Sequence, residues 1–177
     1  IYAFAALAMT CMIMAAYRRG PWIDEFWTLW LTRPDLPLAD AFERRWLLDV
    51  HPPLFTFLIR LLDPLVGDDM VRRRLLNLIP FVFAAAFSVH MSIRAPHARR
   101  FFLVFSILIA SSPWFATYFA EHRSYFSQLC SSYVLLGCLF VIHVSDRDLR
   151  WPRDASLALY LLAAILLSFN LHYVMAM

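Results

Sequence analysis

The 177-residue chain is 62% hydrophobic and 16% charged, with a mean hydropathy of +0.61, which excludes a soluble globular composition and implies an integral membrane protein. Its 16 basic residues are all arginine and outnumber the 13 acids, for a formal charge of +3. With three glycines there is no glycine-rich phosphate loop, and no H-E-x-x-H, G-x-S-x-G or paired-cysteine motif occurs, so nucleotide binding and ordinary hydrolase chemistry have no local support.

A membrane-crossing helix needs about 20 apolar residues, and the apolar runs are predicted to form five such spans at 1–17, 75–93, 101–119, 125–144 and 155–177. The fold class expected is therefore all-α, a polytopic helical bundle. The chain begins and ends inside apolar runs, as a piece of a longer protein would. Between the first two spans lies a polar loop, 18–74, that holds nine of the 13 acids. Within it, 24–32 reads as a short helix with Asp24 at its N-cap, Phe26, Trp27 and Trp30 as interfacial aromatics, and Pro34 beyond its end. A second short helix at 38–48 puts Leu38, Phe42 and Trp46 on one side. The run 52–66 is too short and too charged (Arg60, Asp63) to span, and reads as an interfacial helix started by Pro52 and Pro53. Cys11, Cys130 and Cys138 sit in apolar runs as small core residues. Arg72, Arg73 and Arg74 read as headgroup anchors.

Parity then fixes sides. If loop 18–74 is outside, 94–100 is inside, 120–124 outside and 145–154 inside, so Glu121 and Arg123 emerge with Asp24 and His51. The positive-inside rule opposes this, since ten arginines fall on the proposed outer side and six on the inner. The outer assignment is kept because the loop is close to the roughly 60-residue length beyond which that rule weakens, and because arginines there suit an anionic lipid substrate.

Four places carry candidate chemistry. Asp24 and Glu25 are adjacent carboxylates beside aromatic rings, where burial and mutual repulsion can lift one into the range of a general base; the plain alternative is an N-cap with a helix-dipole partner. In Asp49-Val50-His51-Pro52-Pro53 an acid and a histidine are pinned at a helix start, which also fits simple proline-initiated helix chemistry. At Glu121-His122-Arg123-Ser124-Tyr125 an arginine suited to phosphate and a tyrosine suited to a hydroxyl meet a membrane boundary, where snorkelling and aromatic anchoring would place the same residue types. His172 and Tyr173 fall near the outer end of the last span, as substrate contacts or as packing.

The order PWIDEFW, DVHPPL, SPWFATYFAEHRSYFSQL and FNLHY resembles the N-terminal half of the membrane-embedded C-type glycosyltransferases, and is similar in particular to bacterial relatives of the dolichyl-phosphate-mannose protein mannosyltransferases. The resemblance covers essentially the whole chain. It implies a sugar donor on a polyprenyl phosphate and an active site at the extracytoplasmic face of the bacterial inner membrane. It also implies an acceptor glycan, lipid or protein, with membrane lipids around the fold and no nucleic acid. Asp24 and Glu25 take the family's catalytic acid position; His51, Glu121, Arg123, Tyr125 and His172 are the substrate-binding candidates. Phe55-Thr56 stand where protein mannosyltransferases carry Gly-Lys, a departure that leaves the acceptor class open. No cofactor is expected; some relatives of the fold bind a divalent cation on acids of this kind, for which Asp24 and Glu121 would be the ligands here, and no metal ligand is assigned. The alternative expectation is a non-catalytic protein that binds or transports lipid-linked sugars.

Overall fold

The computed structural model describes residues 2–49, 51–144 and 155–171, and these are helical with no strand among them. Ten α-helices follow in order: α1 (Tyr2–Arg18), α2 (Ile23–Thr32), α3 (Leu38–Arg44), α4 (Leu54–Val66), α5 (Met70–Leu75), α6 (Leu78–Arg94), α7 (Arg99–Ala110), α8 (Pro113–Phe119), α9 (Tyr125–Val144) and α10 (Ala155–Leu171).

Among the described residues, two stretches are long and apolar enough to cross a membrane, Met70–Arg94 (α5 with α6) and α9. The predicted straight span 101–119 is instead a broken pair, Pro96–Ala110 and Pro113–Phe119, bent by 71°. Proline at the first turn of α8 supplies no N–H to a preceding helix and disfavours helical geometry at Ser112, so the rod breaks there. Counted as one span, the pair brings the total to three; α1 and α10 are shorter apolar helices over their described lengths. The end of the predicted last span, with His172, lies outside the described residues.

The core runs along α9, which packs against α6 on one side and α10 on the other. Its centre is aromatic: the Phe87 ring stands edge-on to Phe102, Tyr133 and Tyr160, and Phe101 stacks on Phe140 with centroids 3.8 Å apart. Gly137 lets α9 approach this cluster, because a Cβ there would lie 2.6 Å from Phe87 Cε1 and 2.9 Å from Phe102 Cε1. Side chains of that size interlock only where one partner has none. Tyr133 Oη is 2.6 Å from Ser88 Oγ and 2.9 Å from Ser106 Oγ, so a hydroxyl trio ties α6, α7 and α9 together inside otherwise apolar packing. Cys130 and Cys138 belong to this core, whereas Cys11 faces outward on α1, contrary to its expected burial.

The predicted loop helices are present with shifted ends. Trp22, not Asp24, is the N-cap of α2, and Asp24 lies in its first turn. The helix predicted over 38–48 stops at Arg44 and gives way to a 3-10 turn, Trp46–Leu48. The run after the prolines is α4, with Pro53 as N-cap, packed on α2 and α10. Arg60 and Asp63 on α4 find partners within the protein: Arg60 donates to the carbonyls of Arg33 and Leu36, and Asp63 accepts from Arg73.

The arginine run on α5 departs most from its predicted role. Arg72 is exposed beside Asp69, but Arg73 and Arg74 are buried at 1% and 2% exposure. Arg73 is closed by Asp63, the Gly67 carbonyl and the Thr32 hydroxyl. Arg74 points the other way into the end of α1 and the start of α2, where it meets Glu25. Two buried guanidiniums cannot also serve lipid headgroups. They are internal ties, stable there because each is paired and hydrogen-bonded.

Candidate functional site

Helix α2, the 121–124 turn between α8 and α9, and Asp49, His51 and Pro52 ahead of α4 meet at one end of the bundle. Asp24 and Arg123 therefore share a face, the arrangement parity required if α4 does not span. The Arg123 guanidinium is 3.9 Å from Asp24 Oδ2, donates through NH1 to Thr28 Oγ1 at 3.1 Å, and lies 5.6 Å from the Tyr125 ring centroid. Thr28 stands one turn beyond Asp24 on the same face of α2, and its hydroxyl donates to the Asp24 carbonyl.

Arg123 is buried, yet its ion pair with Asp24 is loose and its Nε has no hydrogen-bond partner among the described residues. A buried cation so incompletely neutralised favours an anion beside it. The space next to it is a narrow cleft of about 10 Å³, roughly one water, lined by Thr28, Asp49, His51, Thr56, Arg123 and Ser124 among others. On its far wall the His51 ring is 3.3 Å from Asp49 Oδ1, which also accepts from Trp27 Nε1 at 3.3 Å. A carboxylate that fixes an imidazole this way sets the ring's orientation, and with it the direction its other nitrogen faces.

Asp24 and Glu25, adjacent in sequence, part company in the structure. The Asp24 side chain is 41% exposed beside Arg123; Glu25 points inward and is fully buried. Its Oε1 accepts from Arg74 Nε (2.8 Å) and the His122 backbone N–H (2.7 Å), and its Oε2 from Arg74 NH2 (2.6 Å) and the Trp22 N–H (2.9 Å). Burial opposes its ionisation, but the Arg74 hydrogen bond, those from His122 and Trp22, and the Arg74 charge outweigh it and hold Glu25 below the usual carboxylate range. The expected upward shift from a repelling pair does not occur at Glu25.

It occurs at Glu121. Arg19 NH2 lies 2.5 Å from its Oε1, yet burial pushes its pKa up, with Glu25 and Asp24 adding to the rise against the Arg19 and Arg123 charges. Next to it, His122 is buried, pushed down to about 3 by loss of solvent and by the Arg73 and Arg74 charges, and so stays neutral. Its ring faces Phe55, 6.1 Å between centroids. Neither residue opens on the cleft.

Of the predicted site residues, then, His51 and Arg123 line the cleft, and Asp24 and Tyr125 stand beside Arg123 without lining it; Glu25 and Glu121 lie behind it; His172 is outside the described residues. Sequence reasoning missed Thr28 and Thr56, which border the cleft, and Arg19 and Arg74, which close the acids behind it. Thr28 was findable as the i+4 neighbour of Asp24. The arginine pairings had no local signal, since their partners lie 49 or more residues away. Among the described residues no three His, Cys, Asp or Glu side chains converge as a metal site, and Asp24, Glu25 and Glu121 each have an arginine beside them. This donor set does not fit a metal clamp.

No family model, curated protein or solved structure matches the chain. What the cleft does is read from its own residues.

A second concavity lies at the start of α4, where Pro53 and Leu54 line it and the adjacent Pro52 and Phe55 line the first. It is an open groove of about 540 Å³ with mainly apolar walls from Leu38, Phe42, Trp46, Leu54 and Phe57, and with Glu43 and Asn170 at its polar edges. That volume lies within the roughly 300–1,000 Å³ typical of ligand pockets.

Proposed function

We propose that the protein transfers a sugar from a polyprenyl-phosphate donor to an acceptor hydroxyl at the extracytoplasmic face of a bacterial inner membrane. The observation that carries this reading is the juxtaposition of Asp24 with an incompletely paired Arg123, 99 residues along the chain, beside a cleft that Arg123 lines together with Asp49, His51 and Pro52. Arg123 binds the donor phosphate and takes up the charge that develops on it. Asp24 accepts the proton of the acceptor hydroxyl. The acceptor oxygen forms a bond to the anomeric carbon as the bond from that carbon to the phosphate oxygen breaks, and the electron pair leaves with the lipid phosphate. A single displacement inverts the anomeric centre. His51, held by Asp49, and Tyr125, beside Arg123, contact the substrates; the neighbouring apolar groove suits the hydrocarbon part of an amphiphilic donor. No step is routed through a metal.

In this reading α1 and α10 complete a five-span bundle with the cleft at its outer end. The full-length protein, reconstituted in liposomes with polyprenyl-phosphate sugars, is expected to release lipid phosphate and a glycosylated product. Asp24→Asn lowers turnover by about 10²–10⁴-fold with membrane insertion unchanged. Near-wild-type turnover in that variant removes Asp24 from the chemistry, and donor binding without turnover in the parent points to a carrier instead.

A further inference from the structure

We infer that Glu25 is not the reacting member of the acid pair but a positioning residue, which together with Arg74 holds the 121–124 turn so that Arg123 faces the cleft; this rests on the transferase reading of that cleft. A carboxylate has about four lone-pair sites, and the four N–H groups that reach Glu25 fill them. An acceptor hydroxyl would find neither a lone pair nor a path to it. Arg74 is equally spent: besides its two bonds to Glu25, it donates to the carbonyls of Ala16 (2.9 Å), Arg19 (2.7 Å) and Gly20 (3.0 Å).

What this closed pair controls is the next residue along the turn. The His122 N–H bonded to Glu25 immediately precedes Arg123, while Asn77 Nδ2 holds the Glu121 carbonyl at 2.9 Å and Arg19 holds the Glu121 side chain. With the backbone pinned on the N-terminal side of Arg123, its side chain runs to Thr28 and Asp24. Helix α2 thus carries both the cleft-facing residues and, about 100° around its axis, the anchor for the opposing arginine. The separation of Asp24 from Arg123 is set inside one rigid unit, which is what a base and a phosphate clamp need to act on one substrate.

The test uses two readouts in the full-length protein. The first is independent of activity: the rate at which a Thr28→Cys/Arg123→Cys pair forms a disulfide, mapped by mass spectrometry. Glu25→Gln, and the charge-balanced Glu25→Gln/Arg74→Met variant that decides the matter if the single change does not fold, are expected to slow that disulfide by about tenfold or more, as loss of a charged hydrogen bond dictates. The second is a kinetic split. With native Thr28 and Arg123, Glu25→Gln raises the donor KM by a similar factor and lowers kcat with it, because Arg123 both binds the phosphate and takes up its developing charge, whereas Asp24→Asn lowers kcat alone. Cross-linking at the parent rate in both Glu25 variants overturns the inference, as does a Glu25→Gln loss confined to kcat. A slowed disulfide in a protein whose parent form transfers no sugar supports the positioning role and defeats the transferase reading alone.

Discussion

Gly137→Ala puts a methyl group where α9 meets α6 and α7. The added carbon would stand 2.6 Å from Phe87 Cε1, 2.9 Å from Phe102 Cε1 and 3.0 Å from Phe87 Cζ, against the roughly 3.5–4.0 Å of relaxed carbon contacts. Phe87 is fully buried, with ring centroids 5.5 Å from Phe102 and 5.0 Å from Tyr160. The ring has nowhere to rotate, so the helices must separate or the side chains leave their preferred rotamers. Overpacking of this kind costs about 1–3 kcal/mol, while alanine in a helix interior recovers up to about 1 kcal/mol over glycine. The net expectation is a loss of about 1–2 kcal/mol, or about 2–8 °C in Tm for a chain of this size. Thermal unfolding in detergent, followed by tryptophan fluorescence, measures it, and Phe87→Leu in the same chain should return part of the loss. An alanine variant as stable as the parent, or more so, would mean that helix propensity outweighs the steric argument and that the Phe87–Phe102–Gly137 contact does not limit the packing of α9.

Arg123→Lys keeps the charge but loses the planar fork, and is expected to raise the donor KM by about tenfold, with Arg123→Ala worse; equal KM values in steady-state transfer assays would show that a point charge suffices. His122 is held neutral with a pKa of about 3 against an ordinary 6.5, so the unfolded chain takes up its proton first. Its stabilising contribution is complete above about pH 6.5 and falls by up to about 1.4 kcal/mol per pH unit toward pH 3. Thermal midpoints from pH 7 to pH 4 should decline less steeply in His122→Gln, and identical slopes would refute the assignment. Glu25, lowered from 4.5, stabilises above that value and loses its share as pH falls through its folded value; Glu25→Gln should therefore flatten the most acid part of the same curve. Tyr133→Phe removes the hydroxyl that bridges Ser88 and Ser106 and should cost about 0.6 kcal/mol, the mean for such bonds in membrane helices, as read from the same melts.

The helices were legible in the sequence because apolar runs and proline punctuation act locally. The 125–144 run returned as Tyr125–Val144, and 52–66 returned as a helix beginning two residues late at Leu54. The break at 111–113 was also written there: Ser-Ser-Pro inside an apolar run reads as a stop, and only average hydropathy concealed it. The site was half legible. Asp24 and Arg123 were expected on one face from a count of spans, and the structure places their side chains 3.9 Å apart, while His51 joins Arg123 in the cleft lining. Which acid of the pair faces inward, and which arginines of 72–74 are spent internally, did not follow. A charge run looks the same whether water or a distant carboxylate neutralises it, and the carboxylate that neutralises Arg74 lies 49 residues away. Glu121 illustrates the same limit, since its upward shift comes from burial, which only the assembled fold determines.

Arg74 also takes in the frayed end of the first helix, whose terminal carbonyls it collects at Ala16, Arg19 and Gly20. Helix α1 is therefore the roof over a buried positive charge. A chain shortened from its N-terminus beyond Gly20 would strand that cation with three of its five hydrogen bonds gone, and water would reach the Glu25 carboxylate from behind. The leading segment thereby holds a structural duty at the closed acid–arginine pair, apart from any the length of its apolar run would give it.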